Sequence, residues 1–192
     1  MSTIALPPLR SNGRRTLALI VCLLTLPFVI AAGLYFGGWK PARTLQHGIL
    51  LEPPVTLPAS GLTQTGGQAL PTEALRGKWL LVLSLDGPCH QECIARIDEM
   101  RRIQVSLNKE MGRLRRIVLS EQTGDPELAL ASRMQPDLLV LGAPPRWLPP
   151  GAGHHLHIVD PQGRRVMEYP AGVSAREVRA DLERLLKFAW TG

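Results

Sequence analysis

The stretch from Asp86 to Cys93, Asp-Gly-Pro-Cys-His-Gln-Glu-Cys, holds the residues of this chain best fitted for chemistry. Cys89 and Cys93 are four positions apart. On a helix that spacing puts both sulfurs on one face, one turn apart. Their Cα atoms then lie about 6 Å from each other, within the range a disulfide spans. A helix N-terminus favours negative charge and lowers a thiol pKa, so Cys89, at that terminus, is expected to be the more reactive thiolate. Two thiolates at that separation also suit a soft ion such as Cu(I). The alternatives without chemistry are a structural disulfide or two buried thiols. A bridge closing so short a loop stabilises little and makes a poor staple. Cys22, the third cysteine, lies in an apolar run and reads as a small packing or lipid-facing residue.

A second cluster, Gly153-His154-His155-Leu156-His157, precedes Ile158-Val159-Asp160. If residues 155–160 form a strand, His155 and His157 face one side and His154 the other. A histidine brought near the two cysteines would complete a three-coordinate site of two sulfurs and one nitrogen. His154 and His155 are the candidates. His90, between the cysteines, either tunes the thiols or faces solvent. No Ser/His/Asp array, phosphate loop or His-Glu-x-x-His helix is present.

These groups need a scaffold. Lys78 to Leu85 is a nearly continuous apolar run bounded by Gly77 and by Asp86-Gly87-Pro88, the pattern of a buried central strand. From Cys89 to about Met111 the period becomes helical, with Cys93, Ile97, Met100, Ile103 and Leu107 on one face. Leu114–Leu119 is a second strand. Asp125-Pro126-Glu127 starts a short helix through about Met134. Asp137–Gly142 is a third strand. His155–Asp160 and Arg165–Tyr169 flank the turn Pro161-Gln162-Gly163 as a hairpin. Ser174 caps a final amphipathic helix whose apolar residues are Val178, Leu182, Leu185, Leu186 and Trp190. Residues 37–75 read as an irregular, proline-limited lead-in. The order βαβαβ, hairpin, helix predicts a sheet with helices on both faces. The cysteines fall where the first core strand passes into the first long helix, at the carboxyl end of a strand, where ligands collect in such folds.

Thr16 to Phe36 is 21 residues without a charge. That length crosses a hydrocarbon core of about 30 Å. Arg10, Arg14 and Arg15 precede it, and a short basic N-terminus stays in the cytoplasm. The C-terminal part is then translocated, to the periplasm in a Gram-negative source, leaving a single-pass protein of the inner membrane. A cleaved signal peptide is the alternative. Against it, the segment is longer than a signal core, and Ala31-Ala32-Gly33 is an indifferent cleavage site. The net charge is +6, of which +3 lies before residue 37. No basic stretch is interleaved with aromatics, so a nucleic-acid partner is not expected.

The apolar segment, the Cys89-x-x-x-Cys93 pair behind a buried strand, and the run GHHLHIVDPQGR from Gly153 to Arg164 together resemble the Sco proteins, membrane-tethered thioredoxin-fold factors that help assemble the copper centre of cytochrome c oxidase. CHQEC, IDEMRRIQVSLNKEMGRLRRIVLS and HGILLEPP look closer still to an uncharacterised Sco-like group of proteobacterial inner-membrane proteins. Ile94 stands where Sco proteins have a proline. Ala152 stands at the position of their distal histidine, with His154 or His155 as a neighbouring substitute. The proline that faces the cysteines in thiol oxidoreductases has no counterpart at the usual place; Pro149 and Pro150 come earlier. The resemblance implies residues 1–15 as a cytoplasmic N-terminus, 16–36 as a transmembrane helix, 37–75 as an extended lead-in and 76–192 as a thioredoxin-like α/β domain. It implies Cu(I) held by Cys89, Cys93 and His154 or His155, with an oxidase subunit or another assembly factor as partner. The other readings are a thiol–disulfide oxidoreductase working through Cys89 and Cys93, and a thioredoxin-like interaction module without chemistry.

Overall fold

The computed structural model describes residues 13–38, 46–57, 61–65, 67–144 and 153–188. The chain divides into two compact units, Met1–Thr44 and Leu45–Gly192. In the first unit, α1 (Gly13–Phe36) is a 24-residue helix with Pro27 inside it and no acid in its first turn. At 1.5 Å per residue it is about 36 Å long. It is the one helix among the described residues long and apolar enough to cross a membrane. The expected anchor at 16–36 is thus a helix begun three residues earlier, at Gly13. Trp190 and residues 1–12 lie outside the described residues.

The second unit is built on one eight-stranded sheet. Its strands are β1 (Ile49–Thr56), β2 (Leu62–Gln64), β3 (Ala69–Leu70), β4 (Trp79–Asp86), β5 (Leu114–Ser120), β6 (Leu138–Gly142), β7 (Gly153–Val159) and β8 (Arg164–Tyr169), in the order β1-β8-β7-β4-β5-β6-β2-β3. β4, β5 and β6 run parallel, joined through α2 (Gln91–Ser106) and α3 (Pro126–Met134). β7 turns back antiparallel on β4, β8 on β7, and β1 on β8. α4 (Ala175–Phe188) closes the chain. Parallel neighbours need a crossover, and here each crossover is a helix. β4 sits near the middle of the sheet and buries seven of its eight residues, which is why it reads as a nearly unbroken apolar run.

The two faces are covered unequally. Cys93, Ile97, Met100 and Ile103 of α2, Leu128 and Ala131 of α3, and Val178, Leu182 and Leu186 of α4 all join one core with Leu81, Leu83 and Leu85 of β4. Against the other face, Leu80, Val82, Ile117, Leu119 and Val159 meet Leu57, Leu62 and Leu75. Leu75 ends a 3₁₀ helix, Thr72–Leu75. Helices therefore lie on both faces, as expected, but the three α-helices share one of them. The lead-in is not irregular as expected. It supplies β1 at one edge of the sheet and β2 and β3 at the other. Its strands are short or interrupted by Pro53 and Pro54, and their register against β8 shifts between Leu50 and Val55, so no strand period shows in the sequence. A buried carboxylate ties the lead-in down. Asp181 of α4 accepts from the backbone N–H of His47 and Gly48 at 2.9 and 3.1 Å and from the Tyr169 hydroxyl at 3.3 Å.

Under α2 and α3 lies a polar network that the strand pattern conceals. Arg116 of β5 is fully buried. Its guanidinium donates to Gln104 Oε1 at 2.6 Å, to Asp137 Oδ1 at 2.7 Å, and to Gln135 Oε1. Gln135 Nε2 passes the chain on to Asp98 Oδ1 at 2.8 Å. Burial pushes the Asp137 carboxyl pKa up, but the hydrogen bond and charge of Arg116 outweigh it and hold it below the usual value.

Candidate functional site

β4 ends at Asp86, and Gly87 takes φ +112°, a conformation that L side chains rarely adopt. Pro88 follows and the chain turns into α2. The helix begins two residues later than expected, at Gln91, with His90 as its N-cap. Cys89 is thus the residue before the cap, and Cys93 is the third helical residue. The His90 side chain makes no capping bond. The positive end of the helix therefore sits between the two sulfurs, with Glu92 as the acid in its first turn.

Cys89 and Cys93 are joined as a disulfide, with Cα atoms 5.4 Å apart. Both are buried, at 3% and 4% exposure. The cysteine before the cap and the cysteine in the first turn come together because β4 delivers the chain to the helix start without a longer loop. Asp125 holds this corner. Its Oδ2 accepts from the backbone N–H of Cys89 at 2.7 Å, while Oδ1 caps α3 by accepting from Glu127 N–H at 2.9 Å and Leu128 N–H at 3.4 Å. The sequence marked Asp125 as a helix start; its second bond, to a residue 36 positions away, had no local signal. Asp125→Ala is expected to cost about 1–3 kcal/mol, the loss of a cap plus an orphaned buried N–H. It should also speed reduction of the disulfide by dithiothreitol, measured beside its denaturant midpoint.

The disulfide looks out on two clefts. On one side Cys93 shares a cleft of about 230 Å³ with His154, Gly153, Asp86, His90 and Glu92. On the other, Cys89 lines a cleft of about 530 Å³ with Ile94, Asp98 and Glu127.

The three histidines of β7 separate as a strand requires. His154 is paired with Leu85 and turns to the cysteine side. His155 is paired with Ser84 on the opposite face, where its Nδ1 lies 3.7 Å from a Glu168 carboxylate oxygen. Of the two candidate ligands, therefore, His154 shares a cleft with Cys93 and His155 is directed away. Burial, followed by the charge of Arg96, pushes the His154 pKa down against the opposing pull of Glu92, so its imidazole is neutral at pH 7. Among the described residues no three of His, Cys, Asp and Glu are gathered to hold a metal ion, and the two sulfurs are bonded to each other. The donor chemistry suits a soft ion once that bond is reduced: two thiolates and one neutral imidazole around a single helix start. Ala152, Pro149 and Pro150 lie outside the described residues.

His157 belongs to the fold rather than the site. It is buried beside Ser84, with Oγ and Nε2 3.4 Å apart, and its Nδ1 has no partner. Burial first, then the charges of Arg165 and His155, push its pKa down to about 3. Glu168 stands opposite it on β8. In the unfolded chain this imidazole titrates near 6.5. Between pH 6.5 and 3 the unfolded state holds the extra proton, so stability rises with pH and is lost as pH falls through that window, by up to about 1.4 kcal/mol per unit. Urea midpoints measured from pH 7 to pH 4 are expected to drop along this slope. His157→Leu should flatten it, and an unchanged slope in that variant would assign the acid sensitivity elsewhere.

The family model for a transmembrane-like, thioredoxin-like, C-terminal domain matches residues 79–189. Among solved structures, apo Sco1 from Thermus thermophilus is similar with a TM-score of 0.57 at 19% identity, over 76% of this chain and 99% of its own. Copper-bound yeast Sco1 gives 0.55 at 15% identity, over 70% and 93%. The thioredoxin domain of a thiol-disulfide oxidoreductase from Bacteroides vulgatus gives 0.50 at 12%, over 69% and 95%. No curated relative matches by sequence. At these identities the likeness is one of fold, and it is the Sco-like, thioredoxin-like fold expected from the cysteine and histidine motifs. With its apolar N-terminal helix and its mixed sheet carrying the cysteine pair at the end of β4, the chain belongs to the transmembrane-like, thioredoxin-like C-terminal-domain family.

Proposed function

We propose that this protein is a membrane-anchored factor in maturation of the copper centre of a haem–copper oxidase, with Cu(I) as its cargo. Cys89 and Cys93, reduced, and His154 would hold the ion. The observation that carries the reading is the cleft shared by Cys93 and His154, with the imidazole kept neutral. Copper-bound yeast Sco1, a relative in fold, supports it. Arg14 and Arg15 at the start of α1 support an orientation with the sheet on the outer, periplasmic side of the inner membrane. The partner on this reading is an oxidase subunit or another assembly factor.

A second reading rests on the disulfide itself and on Cys89 lining its own cleft. In it the reduced protein is a thiol–disulfide oxidoreductase. The Cys89 thiolate attacks one sulfur of a partner disulfide, and the other partner sulfur leaves as a thiolate. Cys93 then attacks the Cys89 sulfur, releases the second partner thiol and closes the Cys89–Cys93 bond. Two electrons pass to the partner.

The test is a Cu(I) titration of the full chain, reduced and in detergent, against a competing chelator. One-to-one binding is expected, abolished in Cys89→Ala, weakened at least about tenfold in His154→Ala and unchanged in His155→Ala. No binding above the chelator would overturn the copper reading. The reduction potential of the pair and turnover on a disulfide substrate would then test the oxidoreductase.

A further inference from the structure

The larger of the two clefts does not end at the disulfide. From Cys89 it runs past Ile94, Asp98 and Glu127 into a second hollow of about 190 Å³ between α2 and α3. Those three residues line both hollows, so they form one groove. Leu130 and Met134, 53% and 71% exposed, form its far wall. From Ile94 to Arg101, at the far end, α2 advances about 10 Å, room for three residues of extended chain beyond the sulfur.

Its chemistry is uneven along its length. The sulfur end is closed by Cys89. The waist carries two carboxylates, Asp98 and Glu127, in a chain whose net charge is +6. Asp98 is held in place by Gln135, which is itself fastened by the buried Arg116. The far end is mostly apolar, with Leu130, Ala131 and Met134 beside Arg101. Leu130 and Met134 leave apolar surface at the end of a groove that starts at a buried sulfur, and a flexible thioether adapts to varied partners.

We propose that this groove seats an extended segment of the partner protein that bears a reactive cysteine, a basic residue next to it and apolar residues beyond. The proposal rests on the cysteine chemistry of the preceding section and adds how the partner is chosen. The partner cysteine meets Cys89 at one end, the basic side chain lies against Asp98 and Glu127, and the apolar side chains cover Leu130 and Met134. With the oxidised protein and a partner thiol, the thiolate attacks the Cys89 sulfur from this groove. The Cys89–Cys93 bond breaks, a mixed disulfide forms, and Cys93 leaves as a thiolate in the first turn of α2, where the helix N-terminus favours negative charge.

The test uses the full chain, oxidised and in detergent, with two synthetic thiol peptides, Cys-Lys-Leu-Leu and Cys-Glu-Leu-Leu, and with dithiothreitol as a thiol too small to need the groove. Mixed-disulfide formation is followed by mass. The lysine peptide is expected to react about tenfold faster than the glutamate one, a preference removed by salt and by Glu127→Gln. Leu130→Asp with Met134→Asp should slow both peptides by about fivefold or more while leaving reduction by dithiothreitol unchanged. Val105→Asp, an exposed position on α2 away from the groove, should change nothing. Peptide rates indifferent to charge and to the Leu130 and Met134 substitutions, with normal dithiothreitol reduction, would overturn the groove and leave the cysteine chemistry standing. A disulfide inert even to dithiothreitol would sink the cysteine chemistry and the groove with it.

Discussion

With Cys89 and Cys93 both replaced by alanine, the chain is expected to fold and to lose Cu(I) binding and peptide exchange together. The bridge closes a loop of only five residues, so chain entropy assigns it about 2 kcal/mol at most. That is a minor part of the about 5–15 kcal/mol typical of a domain. Alanine avoids burying two hydroxyls at positions that are 3% and 4% exposed. The comparison that isolates the bridge is wild type reduced by dithiothreitol, whose denaturant midpoint should fall close to that of the double variant. In the organism of origin the double variant should fail to mature the oxidase copper centre. A normal centre in that strain would refute both chemical readings and leave an interaction module, whose only role is to hold a partner.

Arg116→Met is expected to cost more stability than any other single substitution considered for this chain, about 2–4 kcal/mol. The side chain is fully buried and bonded to Gln104, Gln135 and Asp137. Methionine nearly fills the volume but leaves the oxygens of half-buried Gln104 and buried Gln135 without this donor. For a domain of this size that loss lowers the melting temperature by about 10 °C. The same substitution should loosen Asp98 through Gln135 and blunt the preference for the lysine peptide, though neither residue touches a sulfur. A loss below about 1 kcal/mol would show that the network is not what holds α2 and α3 over β5. Differential scanning calorimetry of the variant beside wild type decides it.

Both expectations depend on things that differ in how visible they were. The positions of β4, α2, β5, α3, β6, the β7–β8 hairpin and α4 follow from the chain itself, to within a few residues. A nearly unbroken apolar run at 79–85, a helical period at Cys93, Ile97, Met100 and Ile103, and the cap Asp125 before Pro126 are local signals, and local signals are what sequence carries. The cysteine pair was legible for the same reason: four residues set the separation of its sulfurs with little help from the rest of the fold. The apolar helix α1 was legible from length and absence of charge.

What remained was decided by distant partners. Alternation along a strand separates His154 from His155, but only the pairing of β7 with β4 says which of them faces the cysteines. Arg116 sits in a run, Leu-Arg-Arg-Ile-Val-Leu, that could expose either arginine. Its burial is set by Gln104, Gln135 and Asp137, contributed by α2 and by the segment after α3. The lead-in strands have no period of their own because two are short and one is broken by prolines, so their place at the sheet edges comes from β8, β6 and the Asp181 carboxylate. The groove beside Cys89 exists only where α2 and α3 lie side by side. Backbone period and covalent spacing act over one turn or one pleat and can be read in order along the chain. Which face meets which, and which buried charge finds its donors, is an energy of contacts between segments far apart in sequence, and only the folded chain displays it.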